Sequence, residues 1–112
     1  MPSLTAIREQ RRQARLLALR EGLIPILRDR PAASVWLFGS LARGDWDAFS
    51  DVDLLAVAPD QAQASALADD LLAVGLADDV LALDDSRWQQ LRDGDDPYWR
   101  AIGLDAIRLD PP

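Results

Sequence analysis

Residues 35–57 read VWLFGSLARGDWDAFSDVDLLAV. Two short apolar runs, 35–38 and 54–57, bracket a polar segment. The first run ends on Gly39-Ser40, and Asp51-Val52-Asp53 leads into the second. Runs of this length and composition read as buried strands. The stretch is therefore strand, glycine-serine turn, loop, paired acids, strand. Such an arrangement can hold a phosphate chain at one end and divalent cations at the other.

Side chains alternate faces along a strand. A strand over residues 51–58 would point Asp51 and Asp53 one way and send Val52 and Leu54 into the core. Two carboxylates held that close repel unless something neutralises them. Mg²⁺ does so with oxygen ligands, taking one or two carboxylates together with substrate phosphates and water. Gly39 permits a tight turn and close approach of a ligand to the backbone. Ser40 adds a hydroxyl beside the amides that follow it, and Arg43 can reach an anionic oxygen. An isolated Asp-x-Asp reads as a solvated strand end in this Asp-rich chain. The Gly-Ser turn set ten residues upstream, with a strand on either side, makes the pattern far more specific.

Outward from this stretch the chain alternates helix and strand. Residues 4–30 read mostly as helix, with Leu4, Ile7, Arg11, Ala14, Leu17, Ala18 and Ile24 near one stripe, Ser3 or Thr5 as the cap, and a break or kink expected at 21–25 because of Gly22 and Pro25. Residues 34–38 form the first strand, 40–43 one helical turn and 51–58 the second strand. Asp60 caps a helix over 60–74 with Leu67, Leu71 and Leu72 facing inward, and Gly75 ends it. Residues 78–83 form a third strand, Asp84–Ser86 caps a helix over 87–92, and a short helix over 98–102 precedes a last strand over 106–109. The expected fold class is α/β, a mixed three- to four-stranded sheet with helices packed on it. The 112 residues suit one domain: a helical segment 4–30, a core 34–83, and C-terminal helices with a short strand over 84–112.

Composition narrows the chemistry. There is no cysteine and no histidine, which removes disulfides, thiolate metal sites and histidine general bases. Catalysis must run on carboxylates, hydroxyls, arginines or a bound metal ion. A net charge of −7 argues against direct nucleic-acid binding. The charge is uneven: residues 1–30 carry seven arginines against three acids, net +4, and the remainder is net −11. Arg8, Arg11, Arg12 and Arg15 cluster on the first helix as a solvated face or as a surface for an acidic partner. No apolar run approaches 18 residues and the N-terminus lacks a signal-peptide core, so no membrane span and a cytoplasmic location are expected.

Gly39-Ser40, ten residues, then Asp51-Val52-Asp53 resembles the signature of the nucleotidyltransferase superfamily that includes DNA polymerase β, in its minimal (MNT) branch. Leu41-Ala42-Arg43-Gly44 and the Ser50 before Asp51 match that branch's usual continuation. The resemblance implies a small nucleotidyltransferase fold. It implies that Asp51 and Asp53 bind two Mg²⁺ ions, for which Mn²⁺ can substitute. Gly39, Ser40, Arg43 and Ser50 would contact the phosphates of a nucleoside triphosphate, ATP as co-substrate. A third carboxylate on a neighbouring strand would complete the site and help activate the acceptor hydroxyl. Asp79, set just before Val80-Leu81, is favoured over Asp78.

Larger relatives carry a helical acceptor-binding domain, which these 112 residues are not expected to include. The minimal branch resembles antitoxins that transfer AMP from ATP to a tyrosine of a HEPN-domain toxin, so a hetero-oligomer with such a toxin is implied. The alternative is a non-catalytic module that neutralises its partner by occlusion. Among the aromatics, Trp36 and Trp88 are expected in the core. Trp46 and Phe49, in the loop before the aspartates, either stack on a base, touch a partner or pack locally. Tyr98 and Trp99 either pack on the sheet or contact a partner.

Overall fold

The computed structural model describes residues 3–45 and 51–110. Helix α1 covers Leu4–Leu27, with the Ser3 hydroxyl accepting the Ala6 amide at 3.0 Å. The expected break at residues 21–25 does not occur. Pro25 lies in the last turn, where the single bond its nitrogen cannot make, to the Glu21 carbonyl, is a small loss. Gly22 is a contact point: a Cβ there would stand 2.6 Å from Leu76 Cδ2, so its absence lets the helix approach the segment after α3.

Strand β1 (Ser34–Phe38) and the single turn α2 (Ser40–Arg43) fall where the sequence puts them. Strand β2 is Asp53–Ala58, two residues shorter at its start than expected, which leaves Asp51 before the strand. Helix α3 (Gln61–Ala73) is capped by Asp60, whose carboxylate accepts the Gln63 amide at 2.8 Å. Its inner face is Ala64, Leu67, Ala68 and Leu71. Leu72, expected inside, is exposed because it falls just off that stripe. Strand β3 is Asp79–Asp84, and Asp84 caps α4 (Asp85–Asp93) through the Arg87 amide at 2.7 Å. Helix α5 is longer than expected, Pro97–Asp105, since Asp96 caps it and proline suits the first turn. Strand β4 is only Ile107–Arg108.

The four strands form one mixed sheet in the order β3-β2-β1-β4. β1 runs antiparallel to β2 and β4, whereas β2 and β3 are parallel. Parallel neighbours need a crossover connection, and α3 supplies it. One face of the sheet packs on α1 and α3 through Leu16, Leu19, Leu23, Val35, Leu37, Leu54, Leu67 and Leu71. The other face is covered by α4 and α5 through Leu55, Val57, Trp88 and Ile102. Trp88 is buried as expected. Trp36 is half-buried and meets it edge to face, centroids 5.7 Å apart. Trp99 packs partly on this second cluster and Tyr98 is exposed. Trp46, Phe49 and Ser50 lie outside the described residues. No helix among the described residues is long and apolar enough to cross a membrane.

Candidate functional site

The register of the sheet brings Phe38, Asp53 and Asp79 side by side on three adjacent strands. All three occupy the α4/α5 face, in step with Trp36, Leu55 and Leu81 one row further in. Adjacent strands lie about 4.8 Å apart, so the Asp53 and Asp79 carboxylates are near neighbours. They also stand at the end of the sheet where β2 and β3 begin and β1 ends. The Asp53 carboxyl is held above its ordinary value. Partial burial is the largest cause, followed by the charges of Asp79, Asp51 and Asp78. Asp51 is exposed just before β2, and Val52 between the two acids is buried at 2%.

Gly39 joins the turn to these acids. Its φ is +79°, a backbone conformation that side chains other than glycine rarely adopt. A Cβ built there would lie 2.7 Å from Asp53 Oδ2. The Gly-Ser turn therefore closes directly on Asp53, and any side chain at position 39 would displace its carboxylate. Ser40 opens α2 directly after. Arg43 is half-exposed at the end of α2, where its Nε donates to Asp45 Oδ2 at 3.3 Å.

Asp78 and Asp79 occupy different positions. Asp78 Oδ2 accepts the Val52 amide at 2.7 Å, and the Asp78 and Asp79 amides donate to the Val52 carbonyl at 2.9 and 3.3 Å. Asp78 thus clamps the peptide between Asp51 and Asp53, while Asp79 stands in the row beside Asp53. This clamp has no sequence signature, because it joins residues 26 apart.

Sequence reading also missed Arg12. It is not a solvated member of the arginine face: its side chain is only 13% exposed. Its Nε donates to the Leu41 carbonyl and its Nη2 to the Ala42 carbonyl, both at 2.8 Å. The buried face of α1 is Leu16, Leu19 and Leu23, whereas Leu4, Leu17 and Ile24 of the expected stripe are exposed. Arg12 continues the true stripe toward the N-terminus, a spacing that marks its side chain as inward-facing without naming its partners.

Among the described residues no three His, Cys, Asp or Glu side chains stand close enough together to hold one ion. The adjacent pair Asp53 and Asp79, with Asp51 at the strand entrance, offers oxygen only. Among the described residues no cation pairs with these acids, and an all-oxygen set of this kind suits the Mg²⁺ mode in which carboxylates share the ion with phosphate and water. A groove of about 610 Å³ lies elsewhere, between α1 and β4, and none of the candidate site residues lines it.

No curated protein and no solved structure matched the chain. The family profile described as nucleotidyltransferase domain matches residues 20–95, which span β1 to α4 with the turn and every acid of the row. The chain belongs to the nucleotidyltransferase domain family of the DNA polymerase β-like superfamily.

Proposed function

We propose that this protein is a Mg²⁺-dependent minimal nucleotidyltransferase that transfers AMP from ATP to a tyrosine hydroxyl of a HEPN-type toxin, and so acts as its antitoxin in the cytoplasm. The observation that carries the reading is the contact between Gly39 and Asp53. It sets the Gly-Ser turn directly against the carboxylate of Asp53.

In this reading Asp53 and Asp79, with Asp51 at the strand entrance, would hold two Mg²⁺ ions together with the phosphates of the nucleotide. Bound there, the ions supply charge neutralisation and lower the pKa of the acceptor hydroxyl. The Gly39 and Ser40 amides and the Ser40 hydroxyl donate to phosphate oxygens. Arg43 leaves Asp45 to meet the triphosphate, and Ser50 adds a further contact. The acceptor oxygen forms a bond to the α-phosphorus, the bond to the bridging oxygen breaks, and pyrophosphate departs. Asp79 receives the hydroxyl proton. The chain contributes chiefly positioning and fixed charge, which accords with its lack of histidine.

Intact-mass measurement of the toxin encoded beside this protein, after incubation with it, ATP and Mg²⁺, tests the reading. AMP-sized additions that vanish with the double variant Asp51→Asn/Asp53→Asn are expected. Silencing of the toxin by that double variant without any mass change overturns the reading in favour of occlusion.

A further inference from the structure

We infer that Arg12 is a positioning residue of the nucleotide site, clamping the Gly39–Ser40 turn against Asp53 from the far end of α2; the nucleotide half of this inference rests on the function proposed above. α2 has four residues, closed by backbone bonds from Arg43 N–H to Gly39 O at 3.1 Å and from Gly44 N–H to Ser40 O at 2.9 Å. A helix this short does not hold its own shape in water. Its next carbonyls belong to Leu41 and Ala42, residues only 2% and 7% exposed. Carbonyls in such surroundings need donors. Arg12 supplies both from a helix 29 and 30 residues away, through one planar guanidinium.

The guanidinium is itself held. Its Nη1 pairs with Glu9 Oε1 at 3.0 Å, and Gln13 Nε2 donates to the same oxygen at 2.9 Å. Glu9, Arg12 and Gln13 thus form a bracket on α1, which in turn is anchored to the sheet by Leu16, Leu19 and Leu23. Gly44, at the left-handed end of α2 with φ +90°, lies beside the same guanidinium: a Cβ there would be 3.8 Å from Arg12 Nε. The turn that would meet the phosphates is fixed at one end by β1 and at the other by Arg12. Loss of the clamp frees the turn to drift from Asp53, whose carboxylate leaves it no slack.

The test compares the full-length chain with its Arg12→Ala and Arg12→Lys variants by amide hydrogen exchange and by calorimetric titration with Mg–ATP, well below each melting temperature. Arg12→Ala is expected to raise exchange at residues 39–44 while α3 stays protected, and to weaken Mg–ATP binding about tenfold or more, the scale of lost charge-assisted bonds. Lysine, which keeps donors but not the planar fork, should recover part of both. Wild-type exchange at residues 39–44 in Arg12→Ala overturns the inference. So does a uniform rise across the chain with unchanged affinity, which would mean a general structural role. If Arg12→Ala does not fold, Arg12→Gln is read by the same two criteria. Absence of Mg–ATP binding by the unaltered chain overturns the functional reading instead, and the clamp then stands or falls on exchange alone.

Discussion

The two faces of the sheet are built on different principles. The α1/α3 face is aliphatic and sealed: Leu23, Val35, Leu37, Leu54, Leu67 and Leu71 are fully buried. The α4/α5 face is thinner and aromatic. Phe38, Leu81, Leu83 and Trp99 there are only half-buried. Trp36 and Trp88 share the Arg92 guanidinium, 5.6 and 5.5 Å from their ring centroids, and Arg108 stands 5.8 Å from Trp36. The Trp88 indole nitrogen is buried without a partner among the described residues, a cost the other face does not carry. The candidate acids stand on this second face. The sealed aliphatic core and the candidate acids thus lie on opposite sides of the same strands, and alternation along β2 divides them: Leu54 and Ala56 go to one, Asp53 and Leu55 to the other.

This division can be broken most sharply at Asp53 and Asp79. Replacing either by Asn should lower nucleotidyl transfer by about 10³-fold, at the upper end of what one lost charge-stabilising group costs, with the cooperative melt retained. Loss of folding in both variants would erase the distinction between the faces. Next in size, Leu67→Ala should cost about 2–5 kcal/mol in denaturant unfolding, as for a fully buried leucine. Leu83→Ala, half-exposed on the acid face, should cost less than half as much. Equal losses would contradict the asymmetry.

Asp78 tests the division between neighbours. Asp78→Ala strips the Val52 amide of its acceptor and should destabilise by about 1–3 kcal/mol. Asp78→Asn retains an acceptor oxygen and should restore most of that. Asp79→Asn should show the opposite profile, with stability kept and transfer lost.

The smallest effect is a pH dependence. The Asp53 carboxyl binds its proton more tightly in the folded chain than in the unfolded one. Folding then favours the protonated form, so stability falls as pH rises from the ordinary carboxylate value through the raised one, and the cost persists above it. Asp53→Asn should therefore melt slightly higher than the unaltered chain at neutral pH. The difference should close below the ordinary carboxylate range. Parallel melting curves across the whole pH series would refute this origin of the shift.

Much of the fold was legible because local chemistry decides it. The apolar run Ser34–Phe38, the turn Ser40–Arg43 and the Asp60 cap each state their structure within a few residues. The start of β2 was misjudged because pairing, not propensity, begins a strand, and β1 ends opposite Asp53. Pro25 looked like a breaker, yet so near the helix end it removes little. In the candidate site, Gly39, Ser40, Asp51 and Asp53 stand out by their spacing, whereas Asp79 entered only through the family resemblance. The supports of these residues were not legible. Arg12 and Asp78 each act on backbone groups at least 26 residues away, and sequence periodicity carries no information about such partners.

Calorimetric titration of the chain with ATP, in the presence and absence of Mg²⁺, tests the central claim most directly. Binding that requires Mg²⁺ and disappears in both Asp53→Asn and Asp79→Asn is the predicted result. Binding that is indifferent to Mg²⁺, or that survives in either variant, would contradict the account.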